Sequence, residues 1–378
     1  MHSTEDRTRG AAAAWQSHDD GVRVTPHVVI VGAGAVGGFV GGLLAEAGSN
    51  VTLVDAWPAH VEAIHARGLS LHGTHGERRV ALSALHVCDV QTLIHRRVDV
   101  AFVSVKLYDT RWATALIAPY LSESGFVVTM QNGMVEEDVA QVVGWPRVLG
   151  CVVSRFQVEL VEPGHIRRTN PPGGTLHDTF RVGEIHGRAT HRADRVAALL
   201  QNVDSARVTT NLWGERWSKL VANSMTSPVA AISGLTLKQM YEQPQARRLV
   251  IRLAAEAVCL GHALGFALEP IFGTSPDDYV AAERGERSPL RRLEAAMATW
   301  QATSLEDGRT GIAQDLRRGR RTEVDYLGGY VAARGAAAGH RAPTHEAITE
   351  IVHRIERAEL KPGMDNIEAL LSPGGAAG

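Results

Sequence analysis

Cysteine is scarce in this chain: Cys88, Cys151 and Cys259 are the only three, odd in number and far apart. That pattern excludes a disulfide framework and suits a reducing cytoplasm. Charge of one sign is missing too. The 39 Lys and Arg stand against 41 Asp and Glu, a net charge of −2 with both signs interspersed. Nothing in that balance calls for nucleic acid or an anionic membrane as a partner. No run approaches the roughly 20 uninterrupted apolar residues of a membrane span. The alanines at 11–14 are too few, and too closely flanked by charge, for the apolar core of a signal peptide. Also absent are H-E-x-x-H, a Cys/His cluster with metal spacing, the G-x-S-x-G elbow and a setting for a cysteine nucleophile. His72 and His75 lie close together, without the further ligands a metal site needs. Metal-dependent and covalent hydrolase chemistries are thereby set aside.

What is present points to an α/β protein. A chain of 378 residues is too long for one compact core and predicts two domains. Residues 1–26 are polar and aperiodic, a disordered arm; residues 372–378, rich in Gly, Ala and Pro, read as a tail. The strongest motif is Val28-Val29-Ile30-Val31-Gly32-Ala33-Gly34-Ala35-Val36-Gly37-Gly38. Four β-branched residues predict a strand buried on both faces, and a helix follows to Ala47. The glycines fit G-x-G-x-x-G, which gives a tight turn, backbone room for a pyrophosphate, and close helix–strand packing. The N–H groups and positive end of that helix point at the diphosphate. A second strand, Asn50-Val51-Thr52-Leu53-Val54, ends on Asp55, placed where a carboxylate meets the adenine ribose hydroxyls.

Alternation continues with a helix over 59–67, short strands at 69–71 and 79–82, and an apolar strand over 98–105 that runs out at Lys106. A helix over 110–119 and a strand over 126–130 ending on Gln131-Asn132-Gly133 follow. Strands alternating with helices predict a parallel sheet with ligands beyond its carboxyl ends. The Gly32 loop, Asp55, Lys106 and Asn132 all fall there. Residues 148–208 read as a smaller antiparallel extension, with strands at 150–159, 164–169, 180–183 and 206–208 and a helix over 192–201. Beyond Asn211 the pattern is helical. The first helix runs over 212–228 and sets Lys219, Asn223 and Ser227 four apart, one stripe of ammonium, amide and hydroxyl. A helix over 243–264 follows, then a stretch from 267 to 310 broken by Pro270, Pro276 and Pro289. Ile312, Leu316, Gly319, Glu323, Tyr326, Leu327 and Tyr330 then fall on one helical face. Glu323 is a carboxylate on that apolar stripe and requires a cationic or hydrogen-bonding partner.

These motifs resemble the ketopantoate reductase family over residues 27 to about 360. Four stretches in order carry the likeness. They are the glycine loop at 32–38, Val103-Ser104-Val105-Lys106, Gln131-Asn132-Gly133-Met134, and the pair 217–223 with 314–325. The resemblance implies a Rossmann-type doubly wound sheet over 27–209 and an all-α domain over 210–371. It implies Lys219 as general acid with Glu323 as its carboxylate partner, and Asn223 at the substrate. Lys106 and Asn132 would lie beside the nicotinamide and the reacting carbonyl. Hydride transfer to a 2-oxo carbon leaves negative charge on oxygen, which a nearby ammonium stabilises and then protonates. The cofactor contacts expected are Gly32, Ala33, Gly34, Ala35, Val36, Gly37, Asp55, Lys106, Asn132 and Glu323.

Departures from the family pattern refine the expectation. No arginine follows Asp55 until Arg67, so a 2′-phosphate has no partner and NAD is favoured over NADP. Ser227-Pro228 replaces the family's Asn-Pro, Gly311 beside Thr310 replaces a serine, and Gly328 replaces an asparagine. Ser227 and Thr310 remain as substrate-binding hydroxyls. Lost hydrogen-bonding groups disfavour ketopantoate and suit a bulkier 2-oxo acid, its 2-hydroxy acid, or another secondary alcohol. A homodimer is expected from the apolar helix faces. The alternatives are a true 2-dehydropantoate 2-reductase and a catalytically silent NAD-binding regulator.

Overall fold

The computed structural model describes residues 25–372 except 75, 305 and 307. The expected arm up to residue 24, His75, and the tail from 373 lie outside the described residues. The chain divides into two compact units, Met1–Leu212 and Trp213–Gly378.

In the first unit, β-branched runs form the central strands: β1 (His27–Val31), β2 (Asn50–Asp55), β3 (Leu69–Gly73), β4 (Arg78–Val80), β5 (Ser83–His86), β6 (Val98–Val103), β7 (Leu121–Thr129) and β8 (Val148–Val153). After them come β9 (Val158–Glu162), β10 (His165–Arg168), β11 (Phe180–Glu184) and β12 (Ala206–Thr209). The main sheet has the order β12-β11-β8-β7-β6-β1-β2-β5. Its strands from β8 to β5 are parallel; β11 runs antiparallel to β8, and β12 parallel to β11. From β1 the chain steps outward through β2 to β5, then crosses to β6, so the order reverses at β1. Alternate side chains feed two cores. Val28, Ile30, Leu53, Phe102 and Val128 pack with Phe39 and Leu43 on one side. Val29, Val31, Val54, Ala101 and Val127 pack with Ala113, Ile117 and Val139 on the other. Helices therefore cover both faces, as a parallel sheet requires.

The expected antiparallel extension is corrected in part. Residues 150–159 are not one strand: β8 stays parallel in the main sheet, and Arg155 turns the chain at φ 51°. From there β9 enters a second sheet, β4-β3-β10-β9. That sheet lies against helix α1 (Ala35–Glu46), where a side chain on Gly42 would meet Leu71 at 2.9 Å.

The second unit is helical. Helices α2 to α5 of the first unit are Pro58–Arg67, Thr110–Ile117, Glu136–Val143 and His191–Leu200. The second carries α6 (Leu212–Ser233), α7 (Leu237–Glu242), α8 (Pro244–Ala263), α9 (Pro276–Glu283), α10 (Arg287–Thr303), α11 (Gly311–Arg317), α12 (Gly328–Ala337), α13 (Pro343–Glu356) and α14 (Met364–Leu371). Helix α6 does not stop at Pro228 but runs through it. The ring deprives one carbonyl of a donor, while Val229, Ala230 and Ile232 beyond it are fully buried and hold the last turn. Pro276 opens α9 and Pro289 lies in the first turn of α10, so these prolines start helices rather than interrupt them. Among the described residues no helix is long and apolar enough to cross a membrane.

Candidate active site

Strands β2, β1, β6 and β7 are neighbours, so their carboxyl ends place Asp55, the Gly32 loop, Lys106 and Asn132 along one sheet edge. The Gly32 loop is pinned from both sides. Gly32 N–H donates to Val54 O at 2.8 Å, and Ser104 N–H donates to Val31 O at 2.9 Å. Gly32 has φ 96°, and any Cβ there would lie 2.8 Å from the Ser104 carbonyl. Gly37 packs so closely that a Cβ would stand 2.0 Å from Gly32 O. At Gly34, which caps α1, no described atom lies within 4 Å of the Cβ position. The loop is tight below and open above.

Asp55 is oriented by two backbone donors: Ala33 N–H to Oδ2 at 2.8 Å and Trp57 N–H to Oδ1 at 2.9 Å. A carboxylate has about four acceptor positions, so ribose hydroxyls still find lone pairs. Sequence reasoning missed His60. It is fully buried, accepts Gly164 N–H on Nδ1 at 2.9 Å, and so donates from Nε2 to Ala33 O at 2.9 Å. Trp57 stacks on it at 5.9 Å and remains 42% exposed. A buried histidine on an otherwise apolar helix face was the available signal. Farther along the edge, Lys106 is half-buried and Asn132 exposed. Buried Gln131 links their loops, donating from Nε2 to Val105 O at 3.1 Å and Thr110 Oγ1 at 2.8 Å. Away from this edge, His72 meets His165 of β10 at 2.5 Å, and no described group of three or more His, Cys, Asp and Glu is placed to hold a metal ion.

In the second unit, α6 carries the expected stripe in an unusual setting. Over residues 214–233 only Lys219, Asn223 and Ser227 escape full burial. Asn223 Nδ2 is itself buried, and among the described residues no group accepts from it. Thr310 caps α11 through Ala313 N–H at 3.5 Å and donates to Ser227 O at 3.3 Å, which brings these two positions together. The helix is anchored from behind. Trp217 Nε1 donates to Ala257 O at 2.9 Å, and Ser224 Oγ lies 3.3 Å from His345 Nε2. The His345 Nδ1 lies 3.0 Å from Glu256, whose carboxylate also accepts the N–H groups of Thr344 and His345 at the start of α13.

Glu323 is not on a helix, contrary to the single face expected over 312–330. Gly319 takes φ 62°, and its N–H donates to Leu316 O at 3.1 Å while Arg320 N–H donates to Asp315 O at 2.9 Å. That pair of bonds is a Schellman stop, which ends α11. Glu323 stands just ahead of a 3₁₀ turn, Val324–Tyr326, half-buried. At Gly328 a side chain would meet Thr349 Oγ1 at 3.0 Å, whereas Gly311 faces open space.

The model of the ketopantoate reductase PanE/ApbA family matches residues 28–180, and the model of its C-terminal part matches 211–356. A 2-dehydropantoate 2-reductase of Mesorhizobium japonicum is 29% identical over 87% of this chain and 97% of its own. One from Archaeoglobus fulgidus is 27% identical over the same shares, 87% and 97%. A solved PanE/ApbA family ketopantoate reductase from Ralstonia eutropha superposes with a TM-score of 0.71 at 27% identity, covering 88% of this chain and 99% of its own. A D-mandelate dehydrogenase solved with NADH and anilino(oxo)acetate shares the fold, with a TM-score of 0.73 at 18% identity over 88% and 99%. The glycine loop and its sheet edge fall in the first matched span, the lysine stripe and Glu323 in the second, and the chain thus belongs to the ketopantoate reductase family of nicotinamide-dependent oxidoreductases acting on CH–OH groups.

Proposed function

We propose that this protein reduces the carbonyl of a 2-oxo acid bulkier than ketopantoate, or oxidises the matching 2-hydroxy acid or secondary alcohol, with Lys219 as general acid or base. The α6 stripe carries the reading. Lys219, Asn223 and Ser227 are the residues of the stretch 214–233 that are not fully buried, and among the described residues no group accepts from the buried Asn223 Nδ2. A solvated face would be wider and richer in charge.

The residues fit a dinucleotide. Open space above Gly34 admits a pyrophosphate, the N–H groups of α1 face it, and Asp55 is held ready for ribose hydroxyls. When bound, a reduced nicotinamide supplies the hydride. Lys219 stabilises the negative charge that develops on the substrate oxygen and delivers the proton. Asn223 Nδ2 donates to the substrate carboxylate or hydroxyl, Ser227 and Thr310 border it, and Glu323 holds the lysine or the substrate in register. Lys106 and Asn132 contact nicotinamide and carbonyl. Asp55 repels a 2′-phosphate, which favours NAD over NADP.

Gly311 faces open space where a longer side chain would stand, Ser227 is shorter than the asparagine of the family pattern, and room favours an aryl or branched acyl group. The same fold in D-mandelate dehydrogenase holds the aryl-bearing anilino(oxo)acetate. The curated relatives named 2-dehydropantoate 2-reductase favour ketopantoate itself as the second reading. A homodimer in the cytoplasm completes the proposal, in keeping with cysteines that are few, odd in number and far apart in sequence. Steady-state kinetics with ketopantoate, phenylglyoxylate and 2-oxoisovalerate decide between the substrate readings. A kcat/KM for ketopantoate well above the others overturns the first; no turnover of any makes the protein a silent binder.

A further inference from the structure

The turn that bears Glu323 is held from both sides by α13. Upstream, buried Thr322 donates its N–H to Glu356 Oε1 at 2.7 Å. Downstream, Asp325 Oδ1 lies 2.8 Å from Nε2 of His353. The other ring nitrogen, Nδ1, lies 2.9 Å from Glu356 Oε2. One imidazole therefore spans two carboxylates, and one of those carboxylates also grips the backbone at Thr322. Residues 321–323 belong to no helix or strand, so side chains must supply the hold.

The geometry dictates a protonation state. A neutral imidazole has one N–H and one lone pair, and between two carboxylates its lone pair would face an anion. Only the imidazolium donates on both sides. Burial alone would lower the His353 pKa, but Glu356 and Asp325 outweigh it and raise it above the ordinary histidine value. Against the cost of burial, hydrogen bonds from the Thr322 side chain and N–H, and then His353, hold the Glu356 carboxyl below its ordinary value. The charged groups around the ring are Asp325 from the turn, Glu356 from its own helix, and Arg321, whose Nη2 lies 3.6 Å from Asp325 Oδ2.

We propose that His353 is a positioning residue, which as the imidazolium ties Asp325 to Glu356 and fixes the turn presenting Glu323. This rests on the reading of Glu323 as a partner of the lysine or the substrate. Loss of the ring proton leaves one carboxylate facing a lone pair, releases one side of the turn, and lowers the efficiency of oxo-acid reduction without touching the glycine loop.

The test compares wild type, His353→Gln and Asp325→Asn in the full chain. Hydrogen–deuterium exchange is measured over residues 320–327, and steady-state kinetics with a reduced nicotinamide and the 2-oxo acid panel are run from about pH 6 to about pH 9. The clamp predicts faster exchange in both variants and a kcat/KM for the oxo acid lower by roughly ten- to a hundredfold. The KM for the nicotinamide stays unchanged. The wild type loses kcat/KM as pH rises through the His353 pKa, a limb missing from His353→Gln. Unchanged exchange overturns the clamp. Faster exchange with wild-type kcat/KM at every pH overturns its role in the reaction, whatever happens to Tm. If the wild type turns over none of the panel, the proposed function fails by itself, and the exchange comparison still decides the clamp.

Discussion

Two glycines a few residues apart are expected to fail in different ways when changed to alanine. At Gly37, the new methyl would sit 2.0 Å from Gly32 O, 3.0 Å from Ile30 Cγ2 and 3.0 Å from Ser104 Cβ. The first contact is with backbone, well inside ordinary van der Waals range, and the loop is held by bonds from Gly32 to Val54 and from Ser104 to Val31. Helix α1 must move away from β1, at the cost of overpacking, about 1–3 kcal/mol or more. For a unit of this size that lowers Tm by roughly 3–10 °C. At Gly34 the methyl meets nothing within 4 Å, and φ of −62° suits alanine. Stability should hold or rise slightly, since alanine restricts the unfolded chain. The methyl instead occupies the space assigned to the pyrophosphate. Losing one charge-assisted N–H bond there costs about 1.5–3 kcal/mol, roughly ten- to a hundredfold in Kd. Differential scanning calorimetry and NADH fluorescence titration measure the two effects. A Gly34→Ala protein that binds NADH as the wild type does would refute the placement of the pyrophosphate over this loop.

Lys219→Ala should lower kcat by roughly a hundred- to ten-thousandfold, the scale of a lost general acid, with the NADH Kd unchanged; near-normal single-turnover rates would remove Lys219 from the chemistry. Asn223→Ala should leave urea stability unchanged or raised, because it deletes an unsatisfied buried donor, while raising the KM of the oxo acid about tenfold; loss of stability with an unchanged KM would make Asn223 structural. Asp55→Asn should narrow the kcat/KM preference for NADH over NADPH by about tenfold or more, and an unaltered ratio argues against Asp55 as the discriminator. Asp204→Asn should destabilise by about 3–5 kcal/mol, since it strands Arg168, buried like its partner and 2.5 Å away. Burial pushes the Asp204 carboxyl up, but Arg168 and the N–H groups of Ser205 and Gly173 outweigh it and hold it below its ordinary value. The pair's contribution is therefore complete above the unfolded pKa and lost as pH falls through the folded one, and urea melts from neutral to about pH 3 should show wild type and variant converging.

The first unit was legible because its signals are local. A β-branched run, a glycine turn and an acid at the next strand end are read within some thirty residues, and the parallel sheet follows from repetition of that unit. The errors lie where one residue overrides a longer pattern. Apolar spacing continues across Gly319, but its φ of 62° ends α11, so Glu323 leaves the helix and lands on a turn. Arg155, at φ 51°, breaks what composition presents as one strand, and no residue type announced it. Pro228 errs the other way: burial of the turn beyond it outweighs the missing bond, and α6 continues. The role of His60 depends on Gly164, in the turn between β9 and β10, which comes together with it only in the folded chain.

The α6 stripe shows why burial pattern argues more strongly for a site than residue type does. Polar groups four apart on a helix are common on solvated faces, where they cost nothing and mean little. Here the rest of residues 214–233 is buried, so the three partly buried positions form a line one residue wide. Holding an amide donor there without an acceptor works against the fold, at about 1–3 kcal/mol for an unsatisfied buried group. A leucine or alanine at 223 would be cheaper for stability. On the proposed reading, a ligand carrying carbonyl and carboxylate oxygens supplies the acceptor that Asn223 lacks among the described residues. The proposed function makes the stripe better suited to a bound oxyanion than to the unliganded chain, which is the condition for stabilising charge as it develops.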